Sequence, residues 1–292
     1  MPREPSGLAG RLFFWHALLY ACLANTHSEM IEQNMDDASP PRLPQEEFAE
    51  RPPRNPVFNL PPALVATLGL LVAIFLVQNL LLPPAALDWF YFTFGFIPAR
   101  YVTSLSRQGL EWLWTPVTYS LLHGGVEHIV FNALWLMAFA APVVRRIGTA
   151  RYLVFWVLSA IASAFLNAAL HWGAMTLLIG ASGVVSALMG AACRFAFPTD
   201  RGGPRMLEAH HNPRLSIIEA LRSRTVAMFI LFWLLGNVLI AFGIPLIGDG
   251  SQEVAWDAHI GGFLFGFLLF SFFDRPPPPL EISDKDAIEQ IE

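Results

Sequence analysis

The sequence Gly180-Ala181-Ser182-Gly183 lies inside an apolar stretch, residues 152–193, that contains no Asp, Glu, Lys or Arg. A second apolar run without charged residues begins far downstream, at His259. Polar side chains at the depth of a lipid bilayer are costly unless they find partners or serve a function. A serine and a histidine in two such stretches therefore suggest acyl chemistry carried out inside a membrane.

The overall composition indicates a polytopic membrane protein. Of the 292 residues, 54% are hydrophobic and only 14% are charged, whereas a soluble domain carries about 25% charged residues. No basic cluster with interleaved aromatic residues occurs, which argues against nucleic-acid binding. The two cysteines, Cys22 and Cys193, stand far apart. They predict neither a disulfide framework nor a zinc site.

Six segments are predicted to be membrane-spanning helices, since a helix needs about 20 apolar residues to cross the hydrocarbon core. They are approximately residues 63–82, 126–144, 152–170, 175–197, 226–246 and 258–273. Prolines bracket the first segment at both ends, as expected for the start and the stop of a helix. A short turn at 171–174 separates the third from the fourth. The sixth is short, so we expect it in a thinned or protein-buried part of the bundle.

The distribution of charges between the loops predicts the orientation. Arginines are concentrated in the loops after the second and fourth segments, at positions 145, 146, 151, 194, 201, 205, 214, 222 and 224. The first long loop has only Arg100 and Arg107, and the loop before the sixth segment has three acidic residues and no basic one. Because loops rich in Lys and Arg remain in the cytoplasm, we expect both termini to be cytoplasmic.

Three regions follow from this pattern. Residues 1–60 are expected to form a cytoplasmic, largely disordered region, because 26–60 is polar, acidic and proline-rich. Residues 61–273 form the six-span domain, and 274–292 a solvated tail. The apolar stretch 11–24 is too short to span. It has the look of a signal-peptide core, although cleavage there would conflict with the charge rule. The alternatives are that residues 11–24 form an interfacial helix, or that the true start of the protein is Met30 or Met35.

Polar residues of the second segment are the next candidates for a site. His128 and Asn132 are four residues apart and share one face of a helix. His123 precedes them, and with the first loop it is expected to line a hydrophilic depression that admits water. Taken alone, the pair His128 and Asn132 is simply explained as hydrogen-bonding glue between helices. Together with Ser182 and His259, a catalytic site is the better explanation.

Two faces of small residues are predicted in the fourth and sixth segments: Ser182, Ser186 and Gly190, and His259, Gly262 and Gly266. Small residues allow helices to approach closely. Packing these faces together sets Ser182 opposite His259 at similar depth, near the extracytoplasmic ends of both helices. The alternative is ordinary glycine-mediated packing, in which Ser182 bonds a backbone carbonyl.

The chemistry explains why these residue types are needed. A serine hydroxyl is a weak nucleophile until a base takes its proton, and histidine suits that role near neutral pH. The tetrahedral intermediate then needs donors aimed at its oxyanion. The candidate donors are the backbone N–H of Ser182, the Asn132 amide and the His128 ring. Gly180 and Gly183 would expose the amides near the serine and let substrate backbone approach.

No carboxylate is placed to complete a triad. Asp257 lies about 200° around the helix from His259, and Glu127 points about 100° away from His128. We therefore expect Ser182 and His259 to act as a dyad.

These residues resemble the rhomboid family of intramembrane serine proteases over about residues 60–273. The resemblance is carried by His123-Gly124, His128-x-x-x-Asn132, Gly180-Ala181-Ser182-Gly183 and Ala258-His259-x-x-Gly262. Each motif alone is weak, but their order along the predicted spans is specific.

The resemblance implies an all-α, six-span rhomboid-like bundle with Ser182 as nucleophile and His259 as general base. It implies that His128, Asn132 and the Ser182 amide bind the oxyanion, with Gly180 beside them. It further implies cleavage of single-span membrane proteins in or near the transmembrane helix, without metal or cofactor. We expect an integral, multi-pass protein of a bacterial inner membrane, whose partners are these substrates and the lipid bilayer. The sequence carries no sign of its oligomeric state.

Two positions depart from the family pattern. The family's first loop often carries a Trp-Arg pair, where this chain has Trp114-Thr115. Many members also carry a glutamate near the end of the second span, where Val144 and Arg145 stand. Neither position supplies a catalytic group, so these departures concern the stability of the first loop and the rate. The aromatic residues of that loop suit a segment lying in the membrane interface.

Two other classes of function compete with a protease. A catalytically silent rhomboid-like pseudoprotease that binds client transmembrane helices is the main alternative, and the intact Ser182 and His259 argue against it. A transporter or channel would often show inverted repeats. We find no convincing repeat between the two halves, and the only carboxylate within a predicted span is Glu127, at the very start of the second segment.

Overall fold

The computed structural model describes residues 60–197, 206–242, 244 and 254–275, all of which belong to one unit, Phe58–Glu292. Within these residues the regular secondary structure is helical, apart from one isolated antiparallel bridge between Phe96 and Leu178. The predictions for the N-terminal region before residue 60, including the 11–24 segment and the alternative starts, lie outside the described residues. So does the tail after residue 275.

The α-helices of the described residues are, in chain order, α1 (Pro62–Leu76), α2 (Pro84–Phe94), α3 (Glu111–Thr118), α4 (Val126–Ile147), α5 (Thr149–Leu170), α6 (Ser182–Ala192), α7 (Ile217–Arg222), α8 (Arg224–Ala241) and α9 (Trp256–Leu269). A π-helical turn, Val77–Leu81, extends α1. Short 3₁₀ turns occur at Pro98–Tyr101, Leu105–Arg107, Tyr119–Leu121, Met206–His211 and Phe270–Phe272.

Four helices of the described residues are long and apolar enough to cross a membrane: Pro62–Leu81, Val126–Ile147, Thr149–Leu170 and Arg224–Ala241. They confirm the first, second, third and fifth predicted segments. The fourth and sixth correspond to shorter apolar helices, Ser182–Ala192 and Trp256–Phe272. The helical unit formed by the described residues is therefore that of an integral membrane protein.

The prediction of a helix from residue 175 is wrong, because α6 begins only at Ser182. Residues before it are drawn out of helical geometry by the first loop. Leu178 pairs with Phe96 in the antiparallel bridge, with N–O distances of 2.8 and 3.1 Å. Gly180 then has a φ of +115°, a conformation that a helix does not contain. Apolar character alone did not reveal this break.

Helix α6 lies at the centre of the described helices. Every residue from Gly183 to Ala192 is buried, and the helix contacts α9, α4 and α5. Its small residues, which include Gly183, Ala187 and Gly190, explain this position, because they let neighbouring helices approach closely. Helix α8 is the opposite case: Val226 and Asn237 are its buried residues, so it lies at the periphery.

Helices α6 and α9 touch backbone to backbone. A Cβ added to Gly262 would collide with the carbonyl oxygen of Gly183, and one added to Gly266 with that of Ala187. Farther along, a Cβ on Gly190 would strike the carbonyl oxygen of Phe263. The predicted α9 face is therefore confirmed. On α6 the contacting residues are Gly183 and Ala187, one residue after the predicted Ser182 and Ser186. Ser182 therefore lies beside the contact and not within it.

The first loop is held by side chains that donate to backbone carbonyls. Trp114 Nε1 donates to Thr93 O at 2.9 Å, and Thr118 Oγ1 donates to Phe94 O at 2.7 Å. Arg100 is buried, donates to Phe92 O and lies 3.5 Å from a carboxylate oxygen of Glu111. Burial is the main influence on this guanidinium and lowers the pKa of Arg100. A buried arginine thus braces the loop, although Thr115 replaces the arginine of the family pattern.

A second buried arginine stands at the far end of α4, next to the position where the family's glutamate is absent. Arg146 Nε lies 2.5 Å from Asp274 Oδ1, and Nη1 donates to Asn212 O at 2.6 Å. Arg214 reaches the same carboxylate at 2.9 Å. The ion pairs and the carbonyl oxygens compensate the buried charge of Arg146, which would otherwise be unfavourable. They also join Asp274, five residues beyond α9, to the end of α4.

Candidate active site

Ser182 is the first residue of α6, and its side chain is half-buried. In the part of the chain that the structure describes, its backbone N–H makes no backbone hydrogen bond, as is usual in the first turn of a helix. Unpaired amides and the positive end of the helix dipole favour negative charge at this point. The late start of α6 therefore gives the Ser182 amide the geometry of an anion-binding group.

Gly180 brings the loop before Ser182 against the ring of His128. A Cβ built on Gly180 would lie 2.5 Å from His128 Nε2. The Gly180 N–H donates to Tyr119 O at 2.9 Å, which holds the loop in place. Both the positive φ and the imidazole require glycine here. Two of the predicted site residues, Gly180 and His128, are therefore in contact. Gly180 is two residues before Ser182.

Asn132 lies one turn below His128 on the same face of α4 and is buried, with 5% of its surface exposed. Its Nδ2 donates to His128 O at 2.9 Å. This bond stays within α4, so it does not join two helices. An asparagine amide has two N–H groups, and the second is free to serve another acceptor.

His259 lies in the first turn of α9, on the α6 side of the helix. Gly262, three residues later, meets the carbonyl of Gly183, which follows Ser182. The predicted nucleophile and base therefore lie on neighbouring helices, Ser182 one residue before the contact on α6 and His259 one turn before it on α9. His259 Nε2 is buried and has no hydrogen-bond partner among the described residues, so no hydrogen bond joins it to Ser182. Such bonds are often long before substrate binds.

One polar residue near His259, Asn237, was not predicted from the sequence. Asn237 of α8 is buried, with 5% of its surface exposed, and its Oδ1 lies 2.9 Å from His259 Nδ1. A signal was present in the sequence: Asn237 is the one amide side chain of the helix Arg224–Ala241, and the residues around it, from Val226 onward, carry no polar side chain. A lone polar residue in a span is a candidate for function.

Asp257 contacts other groups than His259, as its position around the helix predicted. Its carboxylate accepts hydrogen bonds from Asn167 Nδ2 at 3.0 and 3.1 Å and lies 3.0 Å from His171 Nε2. These contacts tie the end of α5 to the start of α9. Among residues 60–197, 206–242, 244 and 254–275, no three His, Cys, Asp or Glu side chains are grouped to hold a metal ion.

The expectation that His123 lines an open depression is wrong. Its side chain is fully buried, at 0% exposure, with its ring centroid 5.0 Å from that of His128. Tyr91 donates from its hydroxyl to His123 O at 3.3 Å. Burial, followed by the nearby His128, lowers the pKa of His123 to about 3. The imidazole is therefore neutral at physiological pH and packs behind His128.

Comparison with known proteins identifies the class. Residues 111–275, more than half of the chain, match the family model described as the Rhomboid domain. The chain belongs to the rhomboid family.

The similar proteins are bacterial rhomboid proteases. The Rhomboid protease GlpG of Klebsiella pneumoniae subsp. pneumoniae is 28% identical over 216 residues, 74% of this chain and 64% of that protein. The Rhomboid protease GlpG of Pectobacterium atrosepticum is 32% identical over 162 residues, 56% of this chain and 49% of that protein. The chain thus spans about half to two thirds of the length of these relatives.

Proposed function

We propose that this protein is an intramembrane serine endopeptidase that cleaves single-span membrane proteins in or near their transmembrane helix. In this proposal Ser182 is the nucleophile and His259 the general base. The helical unit has six spans, with α6 and α9 as the short fourth and sixth, and both termini lie in the cytoplasm of a bacterial cell.

The observation that carries the proposal is the backbone contact between α6 and α9. The contact of Gly262 with the Gly183 carbonyl fixes the level of both helices, which puts the first turn of α9 beside Ser182. From this contact we infer that His259, whose Nε2 is buried and unpartnered, can reach the Ser182 hydroxyl at the positive end of α6.

The reaction follows from this arrangement. Ser182 Oγ attacks the scissile carbonyl while His259 Nε2 takes the hydroxyl proton. The Ser182 amide, the His128 ring and the Asn132 amide bind the oxyanion of the tetrahedral intermediate. The C–N bond breaks, the leaving amine takes the proton from His259, and an acyl-enzyme remains. Water then attacks the ester, again with His259 as base, which releases the acid and restores the serine.

The substrate must unwind locally before cleavage, because a helix protects its own carbonyls. Residues that weaken helices, such as Gly and Pro, should therefore favour cleavage. We place substrate entry beside α8, since that helix buries few of its own residues and carries many exposed apolar side chains such as Leu231, Phe232 and Leu235.

Labelling with a fluorophosphonate probe tests the nucleophile directly, because such probes react only with an activated serine. We expect the purified protein in detergent to be labelled, and a folded Ser182→Ala variant to remain unlabelled at equal concentration. A folded parent protein that does not react would overturn the proposal. It would favour the catalytically silent member that binds client transmembrane helices.

Replacing Asn132 should have a milder effect than replacing the nucleophile. We expect Asn132→Ala to lower kcat by roughly 10²-fold, near the lower end for the loss of one oxyanion donor, because two other donors remain. The measurement is cleavage of a model single-span substrate in proteoliposomes. Asn79→Ala is the matched control, since Asn79 Nδ2 makes the same bond to the carbonyl four residues earlier, Phe75 O, on an exposed surface. Turnover equal to that of the control would remove Asn132 from the oxyanion site.

A further inference from the structure

We infer that Asn237 is a positioning residue for His259: it holds the ring in the tautomer that leaves Nε2 free to act as base. This inference rests on the proposed function, because it assigns a role only if His259 is the base. The polar chain would then run from Ser182 through His259 to an amide of α8, where a serine protease triad has a carboxylate.

The hydrogen bonds around Asn237 determine the orientation of its amide. Asn237 Nδ2 donates to Trp233 O at 2.9 Å. A backbone carbonyl can only accept, so the amide nitrogen must face Trp233 and the oxygen must face His259. The exchange of the two amide atoms, a common ambiguity of asparagine side chains, would set the oxygen against a carbonyl oxygen.

The orientation of the amide in turn determines the tautomer of His259. Asn237 Oδ1 lies 2.9 Å from His259 Nδ1, and an amide oxygen can only accept a hydrogen bond. Nδ1 must therefore carry the proton. In a neutral imidazole the other nitrogen then has the free lone pair, and that nitrogen is the buried, unpartnered Nε2. This is the protonation state that a general base requires.

The surroundings of Asn237 support a fixed position for the amide. The residue is one of the buried residues of α8, and one turn earlier the ring of Trp233 stacks on Phe263 of α9 at a centroid distance of 4.4 Å. The other titratable groups whose charges act on His259 are Asp257 and His128. The Asp257 carboxylate accepts hydrogen bonds from Asn167 Nδ2 and the Ala258 N–H, and it lies 3.0 Å from His171 Nε2. The His128 ring faces Gly180. The amide of Asn237 is thus the group bonded to Nδ1.

The test is the pH profile of cleavage for Asn237→Leu and Asn237→Asp, with the full-length protein in proteoliposomes and a model single-span substrate. Asn237→Leu keeps the approximate volume and removes the acceptor. We expect kcat to fall by roughly 10- to 100-fold, the size of one hydrogen bond to a charged group, with KM little changed. The acidic limb of the profile should move to lower pH, because the imidazolium loses a bond that favours it.

Asn237→Asp should recover activity at high pH, and its acidic limb should move upward, because a carboxylate stabilises the imidazolium. A merely structural asparagine would change thermal stability or KM and would leave the limb where it is. Asn79→Ala removes the same type of amide–carbonyl bond elsewhere and should reproduce the parent profile.

The outcomes separate this inference from the proposed function. If the parent protein neither cleaves substrate nor reacts with the fluorophosphonate probe, the proposed function fails and the role of Asn237 with it. If the parent protein is active and folded Asn237→Leu keeps both its kcat and its acidic limb, the positioning role alone is refuted. Where Asn237→Leu does not fold, Asn237→Asp decides by the direction in which the limb moves; an unchanged limb refutes the role.

Discussion

Cleavage of a single-span substrate should disappear in both Ser182→Ala and His259→Ala. Removal of the nucleophile or its base from a serine protease lowers kcat by up to about 10⁶-fold, which puts both variants below detection. The double variant should be no worse than either single variant, because the two residues act as one unit. The measurement is appearance of the cleaved fragment in proteoliposomes, with time courses extended to many turnovers of the parent protein.

The control for these variants is Ser159→Ala. Ser159 is a buried serine of α5 whose hydroxyl donates to Trp156 O at 3.0 Å. The variant therefore removes a buried hydroxyl at a position outside the proposed site. It should cleave substrate at the parent rate. Cleavage by purified Ser182→Ala above the level of an empty vesicle would contradict the assignment of the nucleophile. The same result for His259→Ala would contradict the assignment of the base.

A single methyl group at Gly266 should disrupt the fold. The Cβ of Gly266→Ala would overlap the carbonyl oxygen of Ala187, and a backbone atom within a buried helix cannot rotate away. We expect the free energy of unfolding to fall by about 2–4 kcal/mol, which is large for overpacking. In thermal unfolding in detergent this corresponds to a decrease in Tm of roughly 5–15 °C.

Gly69 provides the matched control, because a Cβ built there has no neighbour within 4 Å. Gly69→Ala adds the same methyl group to α1 and should be neutral or slightly stabilising, since alanine is the better helix former. An unchanged Tm in Gly266→Ala would show that α6 and α9 are not in backbone contact. The contact from which we infer that His259 reaches Ser182 would then be absent as well.

The sequence predicts the long helices well because their signals are local. The prolines around α1 mark where that helix starts and stops, and the turn predicted at 171–174 contains Gly173, whose φ is positive in the structure. The start of α6 is different. The residues from 175 to 181 are as apolar as a helix interior, and their conformation is decided by Phe96, a residue about 80 positions earlier that pairs with Leu178. A contact of that kind leaves no periodic pattern in the sequence.

The predicted site residues divide in the same way. His128 and Asn132 share a face because of helix geometry alone, and the structure keeps them together. On α6 two of the three predicted contact residues, Ser182 and Ser186, are one residue away from the actual contact. The spacing of small residues shows which turns can touch but does not determine the rotation of each helix. Asn237 was missed for a related reason: its partner is on another helix, and only the three-dimensional arrangement joins α8 to His259.

The ion pair at the end of α4 sets a limit on how far the chain can be shortened. Arg146 is buried, and its counter-charge comes from Asp274, just beyond α9. Deleting that carboxylate would leave a guanidinium enclosed without an anion, a defect that costs roughly 3–5 kcal/mol. A folded unit that keeps Arg146 paired therefore extends at least through Asp274, beyond the last helix of the described residues.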